Sequence, residues 1–409
     1  MPDSPFHRAM VKWGKDGFIP LLRSAGRDIF LHSITNSLLD FSKLSQEEVQ
    51  QRCSKRGQLW KHDNPEIKSR ILSSQKVHDQ HFHARKEGYD WSPRTVCEIT
   101  DAKVIGWHGL VMNSNGTFIY DKPRSIKKQF YTWRPKLHFR AVNHQRDILS
   151  SSNKSAQFET AMSMVTHLEI YGHWLLEYLP MLLHLSMYED ATGSKPDIIV
   201  DKDPPDWMLE SLRILGYPSN RVTELESGFV GVERLVLPFA SILGETPAAI
   251  RLSPVEHHWL REKSLEAVNG TDTSKENRYY ISRQGTDRRY VTNFEEIKSV
   301  LDEFSVEIVR PEKLSFEEQV RKFSKGGLFV GPRGSGLHNT IFAKDASVVE
   351  IFPPTTRFHI QYLLDISLGH DYTYVFGSEY EKKRSSEEDK HLPFRLNPDA
   401  LRSALKQVI

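Results

Sequence analysis

Three groups of residues in this chain have types and spacings that could do chemistry. The first is Gly172-His173-Trp174-Leu175-Leu176-Glu177. His173 and Glu177 are four apart, so a continuous helix would put them on one face. A histidine there can act as a general base near neutral pH, with the carboxylate orienting it. The plainer alternatives are a helix-surface contact or a satisfied buried histidine. The second group is Tyr280-Ile281-Ser282-Arg283-Gln284-Gly285, with Arg288 and Arg289 close behind. A strand ending in Ser-Arg and followed by more arginines can grip a diphosphate, or it can be a solvated basic loop. The third is Gly326–Glu350, GGLFVGPRGSGLHNTIFAKDASVVE. It reads as a buried strand, a glycine-rich turn, a helix and a second buried strand. Gly331, Gly334 and Gly336 let backbone N–H groups approach an anion, the helix N-terminus adds partial positive charge, and Arg333 adds a planar guanidinium. The spacing is neither G-x-G-x-x-G nor a P-loop, so a nicotinamide-type dinucleotide and Walker-type chemistry are disfavoured.

Other candidates are weaker. Asp201-Lys202-Asp203 follows an apolar strand and resembles a metal-holding D-x-D, but Pro204-Pro205 come next and a turn is the better reading. His138, His144, His257, His258, His359 and His370 lack metal-ligand spacing, and no H-E-x-x-H is present, so no metal site and no cofactor are expected. Cys53 and Cys97 are too few for a disulfide framework and read as ordinary thiols.

The elements that must position these groups follow from the hydrophobic pattern. Residues 1–95 are rich in Lys, Arg, His, Gln and Ser and read as a helical extension, with helical patches at 45–52 and 64–75. Residues 96–143 read as short strands with a hairpin turn at 113–116, and 158–190 as helical, with Pro180 starting or kinking a helix. From Pro196 on, strands and helices alternate, which implies parallel sheet. A break falls near 244–256. After it the same rhythm resumes to a charged segment near 378–391 and a last helix capped by Asn397. The expected organisation is an N-terminal extension at 1–95, an α/β lobe at 96–250, a second, Rossmann-like α/β lobe at 251–390 and a terminal helix at 391–409. With 409 residues, 38% apolar and 26% charged, and a net charge of only +2, the chain is a polar globular protein and not a nucleic-acid binder. The N-terminus is broken by charge before any long apolar run and no stretch reaches membrane-spanning length. A cytoplasmic location is therefore expected, with peripheral membrane contact as the alternative.

The three groups occur in a fixed order. GHWLLEYLPMLLHL, then YYISRQGTDRRYVTNFEEI, then FVGPRGSGLHNTIFAKDASVVEIFPP resembles glycosyltransferase family 61 over residues 98–377. The family includes protein O-linked N-acetylglucosaminyltransferases, plant xylosyl- and arabinosyltransferases and bacterial capsule enzymes. The resemblance implies a GT-B fold, two Rossmann-like α/β lobes with a cleft between them. It implies inverting, metal-independent transfer from a nucleotide sugar, UDP-sugars being favoured, to a glycan, polysaccharide or glycoconjugate hydroxyl. It casts His173 and Glu177 as the catalytic pair and Ser282, Arg283, Arg289, Arg333, Gly334, Ser335, Gly336, Asn339 and Glu350 as donor-binding residues, with Glu350 a candidate for the ribose. One departure stands out. Where the family's glycine turn carries histidine this chain has Arg333, which can donate to phosphate but cannot act as a base near pH 7. His338 is a candidate substitute, though a helix is expected to turn it away from the loop. A non-catalytic glycan- or nucleotide-binding protein on the same fold is the alternative that this departure raises.

Overall fold

The computed structural model describes residues 43–44, 46–62, 94–105, 110–114, 118–119, 157–166, 169–225, 229–239, 252–269, 275–354, 360–380 and 391–409. The fold is α/β and is built on two sheets with helices. The first sheet comprises β1 (Lys43–Leu44), β2 (Leu59–His62), β3 (Arg94–Ile105), β4 (Leu110–Met112), β5 (Phe118–Ile119), β6 (Phe158–Ser163), β7 (Asp197–Val200), β8 (Val222–Glu224) and β9 (Phe229–Phe239). Its order is β1-β5-β4-β3-β9-β6-β7-β8, with β2 on the same strand, β3, as β4. The run β9-β6-β7-β8 is parallel, while β3 runs antiparallel to β9, β4 and β2. The sheet is therefore mixed, more so than the helix–strand rhythm implied.

Two expectations need correction here. Phe158–Ser163 is a strand, not the start of a helix. Thr160, Ala161, Met162 and Ser163 are all buried, and β6 lies between β9 and β7 with ladder bonds on both sides. Pairing of this kind overrides a weak local preference. The N-terminal extension is also not purely helical. The patch at 45–52 is α1 (Gln46–Lys55), but Leu59–His62 pairs with β3 as part of the first sheet. The second expected patch, 64–75, lies outside the described residues, as does the break at 244–251. Pro180 does start a helix. α2 (Tyr171–His173) runs into a π-turn at Trp174–Tyr178, and α3 (Met181–Thr192) begins after Pro180 and ends at Gly193, whose φ of 70° suits a left-handed cap.

Next come α4 (Asp206–Ile214), α5 (Pro254–Ala267), α6 (Phe294–Glu303), α7 (Phe316–Phe323), α8 (Ile360–Leu368) and α9 (Pro398–Val408). The second sheet is all parallel: β10 (Asn277–Ile281), β11 (Glu307–Val309), β12 (Gly326–Pro332), β13 (Ser347–Phe352) and β14 (Asp371–Phe376), in the order β11-β10-β12-β13-β14. β15 (Glu379–Tyr380) and β16 (Phe394–Arg395) form a small antiparallel pair. Numbered within the second sheet the order is 2-1-3-4-5, a doubly wound arrangement that reverses direction between β10 and β12. Ligands of such sheets bind at the carboxyl ends of the strands flanking that reversal. The last helix is not a separate unit. Leu401, Ala404 and Leu405 of α9 share a buried cluster with Val349, Ile351 and Val375.

The two sheets share one core. Met162, Trp174 and Leu185 belong to the same buried cluster as Tyr279, Phe329 and Phe342. Polar clasps fix their relation. The Glu210 carboxylate of α4 accepts from the Phe316 and Glu317 amides (2.6 and 3.3 Å) at the start of α7, which would otherwise lack partners. The Tyr171 hydroxyl donates to Asn339 Oδ1 at 2.6 Å. Among the described residues, no helix is long and apolar enough to cross a membrane.

Candidate active site

One wall of the site grows from the carboxyl ends of β10, β12 and β13. A Cβ on Gly331 would stand 2.8 Å from the Ile281 carbonyl oxygen, so glycine is what lets β10 and β12 close up at the reversal point. One residue past the strand, the Arg333 amide donates to Ile351 O at 3.0 Å, which keeps the chain in line with β13. At Gly334 a Cβ would strike the Arg283 guanidinium, so this guanidinium lies flat against bare backbone. Arg283 is steadied by a bond from Nε to Arg288 O (2.9 Å). Arg289 follows with φ of 57°, an uncommon left-handed conformation for a non-glycine residue, and its Nε is buried with no hydrogen-bond partner. Burial, and then the charges of Arg283, Arg333 and Arg288, pull its pKa down to about 9. Arg283 and Arg333 are likewise lowered, mainly by burial. Buried guanidiniums whose charges depress Arg283 and Arg289 form a site that favours an anion.

Burial disfavours the charged form of the carboxyl group in this wall. Glu350 lies inside β13, level with Gly331, and is 1% exposed. Burial pushes its pKa up to about 8, against the opposing hydrogen bond from the Tyr372 hydroxyl (2.6 Å) and the charges of Arg333 and Arg289.

The opposite wall comes from α2 and the π-turn. His173 Nδ1 and Glu177 Oε1 are 2.5 Å apart. The expected pairing is present, although the helix between the two residues is wound as a π-turn, a local irregularity common at functional sites. The walls meet at Gly172, where a Cβ would lie 2.8 Å from Ser335 Oγ and 2.9 Å from His338 Cδ2. A side chain at 172 would force them apart.

The segment expected to be an α-helix after the glycine turn is instead a 3-10 helix, Ser335–Phe342. Three residues per turn stack Ser335 and His338 on one side. The expectation that His338 turns away is therefore corrected: it lines the pocket. Its pKa falls to about 4, through burial first and the nearby cations of Arg333 and Arg289 among the lesser causes.

Between the walls lies a cavity of about 260 Å³. Of the residues singled out from sequence, His173, Glu177, Arg289, Arg333, Gly334, Ser335 and Glu350 line it together. The rest support it from behind. Ser282 is buried, with Oγ accepting from the Gln284 amide (3.1 Å). Gly336 faces Ile281 and Pro311. Asn339 is buried, its amide taken up by Tyr171, Gln319 Oε1 (2.7 Å) and Gly336 O (3.2 Å), so it joins the two walls and leaves no group for a ligand. Sequence reasoning named Gly172 without giving it a role and missed Gln361. The first was marked by its place beside His173; the second sits on α8, far away in sequence, with no local signal. The Asp201 carboxylate, just past β7, accepts from the amide and hydroxyl of Thr166, just past β6 (2.7 and 2.8 Å). A larger cavity, about 780 Å³ beside α3 and α5, contains none of the singled-out residues, and its Arg221 is paired with Glu189. We place the chemistry in the smaller one because the converging titratable groups are there.

No curated protein shows significant similarity to the chain. A family profile described as glycosyltransferase 61 matches residues 171–349, a span that begins at the π-turn wall and ends on β13 at the arginine wall. The chain thus carries a glycosyltransferase 61 domain over Tyr171–Val349.

Proposed function

We propose that the chain is an inverting glycosyltransferase with two Rossmann-like lobes in the GT-B manner. It would take a nucleotide sugar, with UDP-sugars favoured, and transfer the sugar to a hydroxyl of a glycan, polysaccharide or glycoconjugate. The observation that carries this reading is the pair Arg289 and Arg333 at the reversal point of a doubly wound sheet, with Arg283 behind them against Gly334, facing a histidine–carboxylate pair across a small pocket. The glycosyltransferase 61 domain supports it independently.

In this mechanism His173 is the base. Glu177 accepts from Nδ1–H, which leaves the basic lone pair on Nε2, and the acceptor hydroxyl passes its proton there as its oxygen attacks the anomeric carbon. The bond from that carbon to the phosphate oxygen breaks on the opposite face, and its electron pair leaves with the diphosphate. Arg333 and Arg289 neutralise the charge that grows on the leaving group, a task that fixed cations in a low-dielectric pocket perform well. These guanidiniums take the part a divalent metal plays elsewhere, so transfer is expected to be metal-independent. Proximity of donor and acceptor between the walls supplies the remaining advantage. A cytoplasmic chain in peripheral contact with a membrane would meet lipid-linked or polysaccharide acceptors.

The test is a thermal-shift panel with UDP, GDP, CMP, dTDP and NAD, with and without Mn²⁺, followed by donor turnover. A ligand at 100 times its Kd stabilises by about 2.7 kcal/mol, a shift of a few degrees. A metal-independent shift with a uridine nucleotide and sugar release lost in His173→Ala is the expected result. Binding without any turnover would support the non-catalytic reading, which Arg333 in place of the family's histidine favours.

A further inference from the structure

His338 lines the pocket, and its hydrogen-bonding role is fixed by a chain of partners behind it. Its Nδ1 lies 2.8 Å from Gln361 Oε1. The Gln361 amide cannot be turned over, because Nε2 donates to Asp365 Oδ2 and Thr340 Oγ1, both at 2.9 Å, and a carboxylate takes only donors. Asp365 is held in turn. Its Oδ1 accepts from the Thr340 hydroxyl (3.0 Å) and faces His370 Nδ1 (3.1 Å), while the His370 ring is fixed at its other end by the Ala343 carbonyl (3.3 Å). Gln361, Asp365 and His370 are all buried, so no water competes for these bonds. The consequence is directional. Gln361 presents only an acceptor, so the proton of a neutral His338 ring must sit on Nδ1. Nε2 then carries a lone pair. It makes no hydrogen bond among the described residues, is not among the buried orphaned atoms, and belongs to a residue that lines the pocket.

We propose that His338 Nε2 accepts a hydrogen bond from a hydroxyl of the sugar being transferred, and that Gln361 and Asp365 are positioning residues that set the ring's tautomer for this task. The inference rests on the transferase reading for the identity of its ligand. The location fits a sugar and not the nucleotide's phosphates. His338 stands on the 3-10 face shared with Ser335, next to Gly172 where the two walls meet, in the same pocket as Arg289, Arg333 and His173. A neutral acceptor repels phosphate oxygens and attracts a hydroxyl. A site built to bond a hydroxyl discriminates strongly against an analogue that lacks it.

Two measurements test this. Calorimetric titration would compare UDP with whichever of UDP-glucose, UDP-N-acetylglucosamine and UDP-xylose stabilises the wild-type chain most. His338→Ala is expected to lose about tenfold in affinity for the UDP-sugar with little change for UDP. His338→Gln, whose amide can still accept, should retain most of it. Equal losses for both ligands would overturn the proposal. Separately, nitrogen NMR of histidine-labelled protein should show the His338 ring protonated at Nδ1 and bare at Nε2, and Gln361→Leu should release that preference. A ring protonated at Nε2 in the wild-type chain would also overturn it. A wild-type chain that binds no nucleotide sugar would sink the transferase reading itself, and the nitrogen spectrum would still decide the tautomer.

Discussion

The two walls of the pocket are made in different ways. The arginine wall consists of strand ends and turns in which charge is fixed by burial and crowding: Gly331 against Ile281 O, Gly334 beneath the Arg283 guanidinium, Arg289 in a left-handed backbone. The histidine wall is one irregular helical turn whose working groups, His173 and Glu177, are about a third and a fifth exposed and bonded mainly to each other. The first wall is suited to holding a charge that does not move. The second is suited to moving a proton, which needs a group that water and an acceptor can reach. The difference argues for a division of labour, with leaving-group stabilisation on one side and base chemistry on the other.

Separate substitutions should break that division in separate ways. His173→Ala should give the largest effect, a fall of about 10³-fold in kcat, the scale of a lost general base, with nucleotide affinity almost unchanged. Steady-state kinetics beside a UDP titration would check it; near-normal turnover would remove His173 from the mechanism. Arg289→Ala should lower kcat by about 10²-fold and also weaken UDP binding, because in the proposed mechanism the guanidinium would contact both the bound and the leaving diphosphate. If Arg289→Ala leaves UDP affinity intact, the anion lies elsewhere. Gly172→Ala tests the seam between the walls. Its methyl would press on Ser335 Oγ and His338 Cδ2, and it should cost about 1–3 kcal/mol of stability while weakening the donor more than UDP. An unchanged melting temperature and donor affinity would mean that the walls part easily.

Much of this was legible in the chain, for identifiable reasons. The second sheet follows from short apolar runs such as GLFVG and VVEIF, bounded by glycine, proline and charge, because strands buried on both faces have that pattern. The arginine wall was legible because strand ends and glycine turns are local features. The β6 strand was not. FETAMS acquires its conformation from β9 and β7, and neither partner is near it in sequence. The 3-10 winding of Ser335–Phe342 was also hidden, since its apolar residues Leu337, Ile341 and Phe342 fit an α-helix equally well; the winding alone turns His338 inward. Gln361 reaches the pocket from α8, so its part in fixing His338 depends on tertiary packing alone.

A dependence on pH sets two titratable groups of the arginine wall, Glu350 and His338, against each other. Glu350 has a folded pKa raised by burial to about 8 from the ordinary carboxyl value of 4.5. The folded state then holds more protons than the unfolded state between those values. Its contribution to stability is therefore fully present below pH 4.5 and is lost as the pH rises toward 8. His338 has the opposite sign. Its pKa is lowered to about 4 from 6.5, so the unfolded state takes the extra proton in that interval, and stability rises with pH across it. Melting temperature against pH for the wild-type chain and Glu350→Gln should thus diverge only above about pH 5. The variant should lose the alkaline decline while keeping the acid limb that His338 contributes. Parallel curves from pH 5 to pH 8 would mean that Glu350 is ionised throughout, in which case its carboxylate cancels part of the arginine charge and the anion site is weaker than the geometry implies.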